Sequence, residues 1–288
     1  LKTKKTDGVE AVEYGRTRFS IDEGFKSVTK WCGYINRAER VPEYMRRAFT
    51  KLKTGRPSPV LLQLPKDLGD YETVDYPYAK VKGWRSMGDP KDVQKAVKAV
   101  KKARNPILFV GQGVFSADAA SELREFAEAA QLPVLTTLKG KSVFPEDHPL
   151  SLGVRGEPAE RFLMKADLVL TVGMGHNPCH FMHKIPDAVH KKIIQVTIDD
   201  SDLNTEYLVD HAIMGDAKLV LRQLNGELEK QGTSKLNEAL HKEIEDSWAT
   251  MMKTYTPLME SNETPINPYR VYGDLMKVLD MEKSLVTH

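Results

Sequence analysis

The sequence predicts an α/β protein whose central part, residues 91–230, is a doubly wound, mostly parallel, six-stranded Rossmann-like domain. Two observations support this prediction. Short apolar runs that end in glycine or aspartate alternate with amphipathic segments, as expected when helices cover both faces of a parallel sheet. The second observation is the segment 105–140, whose pattern indicates a strand, a glycine turn, a helix and a second strand in that order. A right-handed crossover is expected for that order.

The individual strands follow from the same pattern. Residues 107–110 form an apolar run suited to a buried strand, and the next helix is predicted to begin near Ser116, as its N-cap. Pro133 marks the end of that helical segment. Further strands are predicted at 134–137, 167–172, 192–198 and 209–214.

The flanking regions predict smaller pieces. Residues 1–70 indicate a partial second α/β unit, with a helix at 42–55 and a strand at 59–65 between two prolines. The segment 71–90 is rich in Tyr, Pro and Gly without a period and is predicted to be a linker. Residues 231–288 are predicted to hold a connecting helix and the start of a further domain.

Composition excludes several classes of function. With 41% hydrophobic and 28% charged residues and a net charge of +2, the chain is predicted to be a globular protein with no membrane span and no nucleic-acid partner. The basic residues Lys2, Lys4 and Lys5 are interpreted as a frayed terminus. Two cysteines and no secretory signal favour reduced thiols and a cytoplasmic location.

A ligand site is predicted where the strands end, because open parallel sheets bind ligands beyond the carboxyl ends of their strands. Glycines there let backbone approach a ligand, Lys139 and Arg155 could neutralise a diphosphate, and Asp199 and Asp200 could accept hydrogen bonds from ribose or ribityl hydroxyls. Solvation of the cations, and capping of the next helix through Asp200 or Ser201, are the alternatives. The predicted cofactor-binding residues are Gly111, Gln112, Gly113, Thr136, Thr137, Lys139, Gly140, Arg155, Gly173, Met174, Asp199, Asp200, Gly215 and Asp216.

Several familiar signatures are incomplete. A GxGxxG fingerprint would need a glycine in place of Ser116, and the strand 134–137 does not end in the acidic residue that holds the ribose of NAD. An NAD-dependent dehydrogenase is therefore disfavoured. The glycines could also serve only to reverse the chain. No nucleophile and base pair and no GxxxxGK motif occurs, so no catalytic residue is predicted. The HxxCHxxH segment 176–183 could ligate zinc, but its histidines more often bind a ligand or line a rim, and no metal site is predicted.

Six segments taken together resemble thiamine-diphosphate-dependent enzymes of the acetolactate synthase type. They are GRPSPVLLQLPKDL at 55–68, ILFVGQGV at 107–114, LPVLTTLKGKSVFPEDHPLSLG at 132–153, ADLVLTVG at 166–173, IIQVTIDDSDLN at 193–204 and HAIMGDA at 211–217. The resemblance implies that residues 1–70 end a pyrimidine-binding domain and that 91–230 are the central domain, which in this family binds FAD, ADP or nothing. It also implies that residues 231–288 lead into a diphosphate-binding domain.

The resemblance implies a chemistry for a longer parent protein. Thiamine diphosphate and magnesium would support carbon–carbon bond formation or cleavage on a 2-oxo acid, with an acyl-CoA as an alternative substrate, in a homodimer or homotetramer. The activating glutamate and the GDG motif of the family are not found, and Gly215-Asp216-Ala217 and Gly273-Asp274-Leu275 stand in other contexts. Because the chain also starts at Leu1 and ends directly after a strand-like segment, it is expected to be an inert piece of that parent.

Two alternatives stay open. Residues 174–178 stand where the synthases carry an arginine and aspartate segment, which argues against FAD and leaves a divergent decarboxylase or lyase as open as a synthase. A stand-alone ADP- or FAD-binding regulatory module without catalysis is the rival function. A sirtuin-like deacylase is excluded, since two cysteines cannot supply its zinc-binding quartet.

Overall fold

The computed structural model describes residues 4–6, 9–14, 17–65, 79–177, 184–280 and 283–284. The chain divides into two compact units, Leu1–Ser86 and Met87–His288. This division falls inside the segment 71–90, where the sequence predicts a linker. Residues 79–89 of that segment form no helix or strand, and residues 66–78 lie outside the described part of the chain.

The described residues of the first unit form two small sheets. One is antiparallel and the other is a parallel pair that flanks a helix, which confirms the predicted partial α/β unit. The sequence pattern does not predict the strand Trp31–Tyr34 of the parallel pair, because its four residues lie among polar neighbours. The elements are β1 (Lys4–Thr6), β2 (Val9–Tyr14), β3 (Thr17–Ser20), α1 (Ile21–Phe25), β4 (Trp31–Tyr34), α2 (Val41–Lys53) and β5 (Val60–Gln63).

The second unit is a parallel sheet covered by helices, as predicted. Its strands are β6 (Pro106–Val110), β7 (Val134–Thr136), β8 (Leu168–Val172), β9 (Lys192–Thr197) and β10 (His211–Met214), in the spatial order β10-β9-β8-β6-β7. Its helices are α3 (Pro90–Lys102), α4 (Gln112–Ser116), α5 (Ala120–Ala130), α6 (Glu157–Lys165), α7 (Ala217–Gln231), α8 (Glu238–Met259) and α9 (Pro268–Val278).

The number of strands differs from the predicted six, of which the sequence pattern located five. Five strands form the sheet in the described residues, and residues 150–153 run beside β7 without forming a regular strand. The Val134 amide donates to the Leu150 carbonyl at 2.8 Å, and the Leu152 amide donates back to Val134 at 2.8 Å. The Thr136 amide continues the ladder to the Gly153 carbonyl at 3.0 Å. This segment therefore covers the edge of β7.

Burial of the strands explains their apolar sequences. Every residue of β8 is buried, and Leu108 and Leu170 at the centre of the sheet are fully enclosed. Each such side chain contributes about 1.5–3 kcal/mol by leaving water. Because β7 and β8 lie on opposite sides of β6, right-handed connections place α5 and α6 on opposite faces of the sheet.

The helix after the glycine turn begins earlier than the sequence predicts. α4 starts at Gln112, directly after Gly111, and stops where Asp118 adopts a left-handed φ of 54°. α5 then starts at Ala120, so the prediction of Ser116 as an N-cap was wrong. The spacing of apolar residues predicts one continuous helical face and does not show the break at Asp118 between the two helices. None of the helices in the described ranges is both long and apolar enough to cross a membrane.

Candidate functional site

The carboxyl ends of the strands form one edge of the second unit, and the predicted residues lie along it. β6 occupies an interior position, with β7 on one side and β8 on the other, so the strand order reverses between β6 and β8. Open α/β sheets bind ligands beyond the strands at such a switch point. The edge above β6, β7 and β8 is therefore the candidate site.

The glycines at this switch point pack against each other. A Cβ at Gly111 would lie 2.5 Å from the Met174 Cβ, and one at Gly113 would lie 2.6 Å from the Gly173 Cα. Gly173 has a φ of +63° and faces the Val114 amide. Contact between the two strand-end loops thus explains the glycine pattern without any ligand.

The backbone amides of the glycine turn are also used within the protein. Gly111 donates to the Val172 carbonyl at 3.0 Å, and Gly113 donates to the Gly173 carbonyl at 2.7 Å. Val114 donates to Gly111 at 3.2 Å. Gln112 is exposed. A diphosphate at this edge would therefore be held by side chains and not by these three amides.

The end of β7 forms a tight turn that leaves one cation exposed. The Thr136 hydroxyl donates to the Gly153 carbonyl at 3.3 Å, and the Thr137 hydroxyl accepts a hydrogen bond from the Gly140 amide at 3.1 Å. Gly140 packs over the end of β6, where its Cβ would lie 3.0 Å from the Val110 carbonyl oxygen. Lys139 projects from this turn into solvent.

Two exposed apolar residues missed by the sequence prediction lie on α4 and on the turn that bears this cation. Phe115 on α4 is 67% exposed, and Leu138 is 48% exposed. α4 contacts the turn 138–140, so the two side chains border the same stretch of the edge. Arg155, also exposed, follows the segment that pairs with β7. Exposed apolar surface beside cations is the feature of this edge that internal packing does not explain.

The aspartates at the ends of β9 and β10 have structural roles. Asp199 accepts hydrogen bonds from the Ser201 amide at 3.1 Å and hydroxyl at 2.7 Å, so Asp199 is the cap that was expected of Asp200 or Ser201. Asp200 is exposed. Asp216 is buried and caps α7 by accepting from the amides of Lys218 and Leu219.

Gly215 is required for packing. Its Cβ would lie 2.8 Å from the Val220 side chain and 2.9 Å from the Gly88 amide nitrogen. Met174 is also packed, being only 7% exposed, and its carbonyl accepts a hydrogen bond from the Gln195 side chain at 3.1 Å. The space beside Gly215 is filled by its neighbours, and the Met174 side chain is buried.

His176 belongs to a buried polar cluster below the β8 and β9 ends, and the sequence prediction misses the other members of the cluster. The Thr171 hydroxyl donates to the Ile194 carbonyl, so it accepts from His176 Nε2 at 3.2 Å, which places the ring proton on Nε2. Burial lowers the His176 pKa to about 4, against the opposing effect of the Asp202 carboxylate. His176 is therefore a neutral core residue. The signal available in the sequence was polar Thr171 and Gln195 inside two apolar strands.

The zinc hypothesis concerns residues that mostly lie outside the described part of the chain. The segment 178–183, which is not described, contains Cys179, His180 and His183. His176 forms a hydrogen bond with the Thr171 hydroxyl. Among the described residues, no group of three or more His, Cys, Asp or Glu side chains could hold a metal ion.

The two aspartates that follow a glycine in a GDG-like context, Asp216 and Asp274, each bond to a neighbouring group of their own helix. Asp216 serves as the α7 cap, and Asp274 on α9 accepts a hydrogen bond from Arg270 at 2.7 Å. That hydrogen bond lowers the pKa of the Asp274 carboxyl. Both aspartates thus stabilise local structure.

Comparison with known proteins agrees with the fold and the strand-end sequences. Residues 93–224 match the family profile of the thiamine pyrophosphate enzyme central domain. The probable acetolactate synthase large subunit of Methanocaldococcus jannaschii is 34% identical over 279 residues, which cover 89% of this chain and 44% of that protein. Glyoxylate carboligase of Escherichia coli O157:H7 is 28% identical over 277 residues, covering 91% and 45%.

The fold has a relative among solved structures. The crystal structure of benzoylformate decarboxylase from Polynucleobacter necessarius superposes with a TM-score of 0.59 at 24% identity, covering 73% of this chain and 40% of that one. The chain spans less than half the length of these relatives. These findings confirm the resemblance drawn from the strand-end sequences. Residues 93–224 are a central domain of the thiamine pyrophosphate enzyme family, and the chain as a whole is similar to acetolactate synthase large subunits.

Proposed function

We propose that this chain contributes to a thiamine-diphosphate-dependent enzyme that forms or cleaves a carbon–carbon bond of a 2-oxo acid. Relatives described as acetolactate synthase and glyoxylate carboligase support the proposal. Thiamine diphosphate supplies the carbanion chemistry in such enzymes, while the protein binds and orients the reactants. In this arrangement the second unit of the chain acts as scaffold and as a nucleotide-binding domain.

The proposed nucleotide is an ADP-type ligand, either ADP or the ADP part of FAD. One observation carries the proposal: α4, which bears exposed Phe115, contacts the turn that bears exposed Leu138 and Lys139 at the carboxyl edge of β6 and β7. An adenine ring would pack on the apolar pair, and Lys139 with Arg155 would neutralise the diphosphate. Exposed Asp200 is available to a ribose hydroxyl.

The amide arrangement supports ADP over a dinucleotide of the NAD type. A Rossmann fingerprint holds the pyrophosphate on free amides at a helix N-terminus. In this chain the amides of Gly111, Gly113 and Val114 bond within the protein. Charge neutralisation by side chains is then the main interaction with phosphate, and we expect affinity to fall as salt rises.

The proposal is tested by titration calorimetry of this chain with ADP, with adenosine and with FAD. We expect ADP to bind more tightly than adenosine, because only ADP meets Lys139 and Arg155. The double variant Lys139→Gln/Arg155→Gln should lose that preference. Lys102→Gln, an exposed lysine at the end of α3, is the matched control. Equal binding of ADP by the double variant and the wild type would refute the site.

A visible absorbance spectrum of the purified protein tests the FAD alternative. A flavin band would assign the site to FAD, and its absence after incubation with FAD would leave ADP as the proposed ligand. We expect thiamine diphosphate with magnesium not to bind this chain, and tight magnesium-dependent binding would contradict the proposed division of roles.

We further propose a cytoplasmic homodimer or homotetramer, as the resemblance implies. Light scattering after size-exclusion chromatography would measure the mass directly, and a monomer at all accessible concentrations would contradict this part of the proposal.

A further inference from the structure

The loop that carries Arg155 has an unusual backbone. Arg155 lies between Gly153, with a φ of +67°, and Gly156, with a φ of +101°. Both conformations lie in the left-handed region that favours glycine. An exposed arginine on such a loop would lose much conformational freedom on binding a ligand, unless something else holds the loop.

Two side chains of α8 press on this loop from one side. A Cβ at Gly153 would lie 2.9 Å from Trp248 Cη2, and a Cβ at Gly156 would lie 2.5 Å from Met251 Sδ. Trp248 and Met251 are three residues apart and therefore share one face of the helix. The space that other side chains would need at the two glycines is occupied by α8.

Hydrogen bonds hold the loop on both sides. The Trp248 indole Nε1–H donates to the Ser151 carbonyl at 2.9 Å, and Ser151 is buried. On the other side, the Gly153 carbonyl accepts from the Thr136 amide at 3.0 Å. The loop is thus fixed between β7 and α8.

The helix that follows the loop is also joined to α8. Arg161 of α6 pairs with Glu243 of α8 at 3.3 Å, and Lys165 bonds to the same carboxylate. The two cations lower the pKa of Glu243, the hydrogen bond from Lys165 having the largest effect. The segment from residue 151 to the end of α6 is therefore joined to α8 near both of its ends.

We propose that α8 positions the phosphate-binding side of the nucleotide site, with Trp248 and Met251 as positioning residues that act through Arg155. The inference rests on the proposed nucleotide function. Trp248 and Met251 lie outside the matched central domain. In this proposal α8 affects the binding of the diphosphate and not that of the adenosine.

The experiment measures ADP and adenosine affinity of Trp248→Phe, which keeps an aromatic ring but loses the indole donor. ADP affinity should fall by about tenfold, the factor for one hydrogen bond of ordinary strength, with adenosine unchanged. In the Arg155→Gln background, Trp248→Phe should cause no further loss, because coupled residues are not additive. Met251→Ala should behave similarly, and circular dichroism would establish that each variant is folded.

Two results would overturn the proposal: equal weakening of ADP and adenosine, or additive effects in the double variant. If the wild type binds no ADP, the nucleotide proposal fails, and positioning is then measured by amide hydrogen exchange of residues 150–157. Faster exchange there in Trp248→Phe, but not in the control Thr250→Ala on the exposed side of α8, is expected. Unchanged exchange in Trp248→Phe would remove the positioning role.

Discussion

Substitution of Gly173 by alanine tests whether packing alone accounts for the glycine turn. A left-handed φ costs a residue with a side chain about 1–2 kcal/mol. The new Cβ would also lie 2.7 Å from the Val114 amide nitrogen and 2.8 Å from the Gly113 carbonyl carbon, and both neighbours are backbone. Overpacking of this kind costs about 1–3 kcal/mol. We therefore expect a loss of about 3 kcal/mol in the free energy of unfolding.

The assay is urea denaturation followed by circular dichroism, with thermal unfolding as a second measurement. A loss of that size should lower Tm by about 10 °C in a unit of this length. Gly226→Ala is the matched control, because nothing lies within 4 Å of a Cβ there and alanine favours the interior of α7 by about 1 kcal/mol. A Gly173→Ala variant as stable as the wild type would refute the packing explanation.

Two further predictions concern stability. Asp216→Ala removes the α7 cap and should lower the free energy of unfolding by about 1 kcal/mol, whereas Asp216→Asn keeps an acceptor and should lose less; equal urea midpoints for the two variants would contradict the capping role. His176, whose pKa in the folded protein is about 4 against an ordinary 6.5, should make stability pH-dependent, because the unfolded chain binds more protons between these values. Stability should be full above pH 6.5 and decline by about 3 kcal/mol as the pH falls to 4. His176→Gln should flatten that part of the urea midpoint against pH curve, and a curve parallel to the wild type would be inconsistent with a buried neutral ring.

The sheet was predictable because burial on both faces gives its strands a simple signature. β8, for example, was expected at 167–172 and is observed at Leu168–Val172. The irregular segment 150–153 was not recognised, since it pairs with β7 through backbone groups and its sequence does not show a regular strand.

The sequence predicts which residues follow the strand ends, but not what each of them contacts. A sequence shows that Gly111 has no side chain, but not whether a ligand or Gly173 occupies the space beside it. Likewise, Phe115 and Leu138 fit the same apolar sequence pattern as residues of the core. Only the structure shows that these two side chains are exposed. His176 was singled out for its chemistry, yet its burial removes it from the surface where ligands bind.

The attachment of α8 to residues 151–156 has a consequence for how this protein can be divided. The match to the central-domain family ends at residue 224, before α8 begins. A chain cut there would leave the Ser151 carbonyl without its indole donor and open the faces of two left-handed glycines to water. The central-domain profile therefore ends before the packing contacts of this domain do, and a shortened protein that keeps those contacts must extend through Met259.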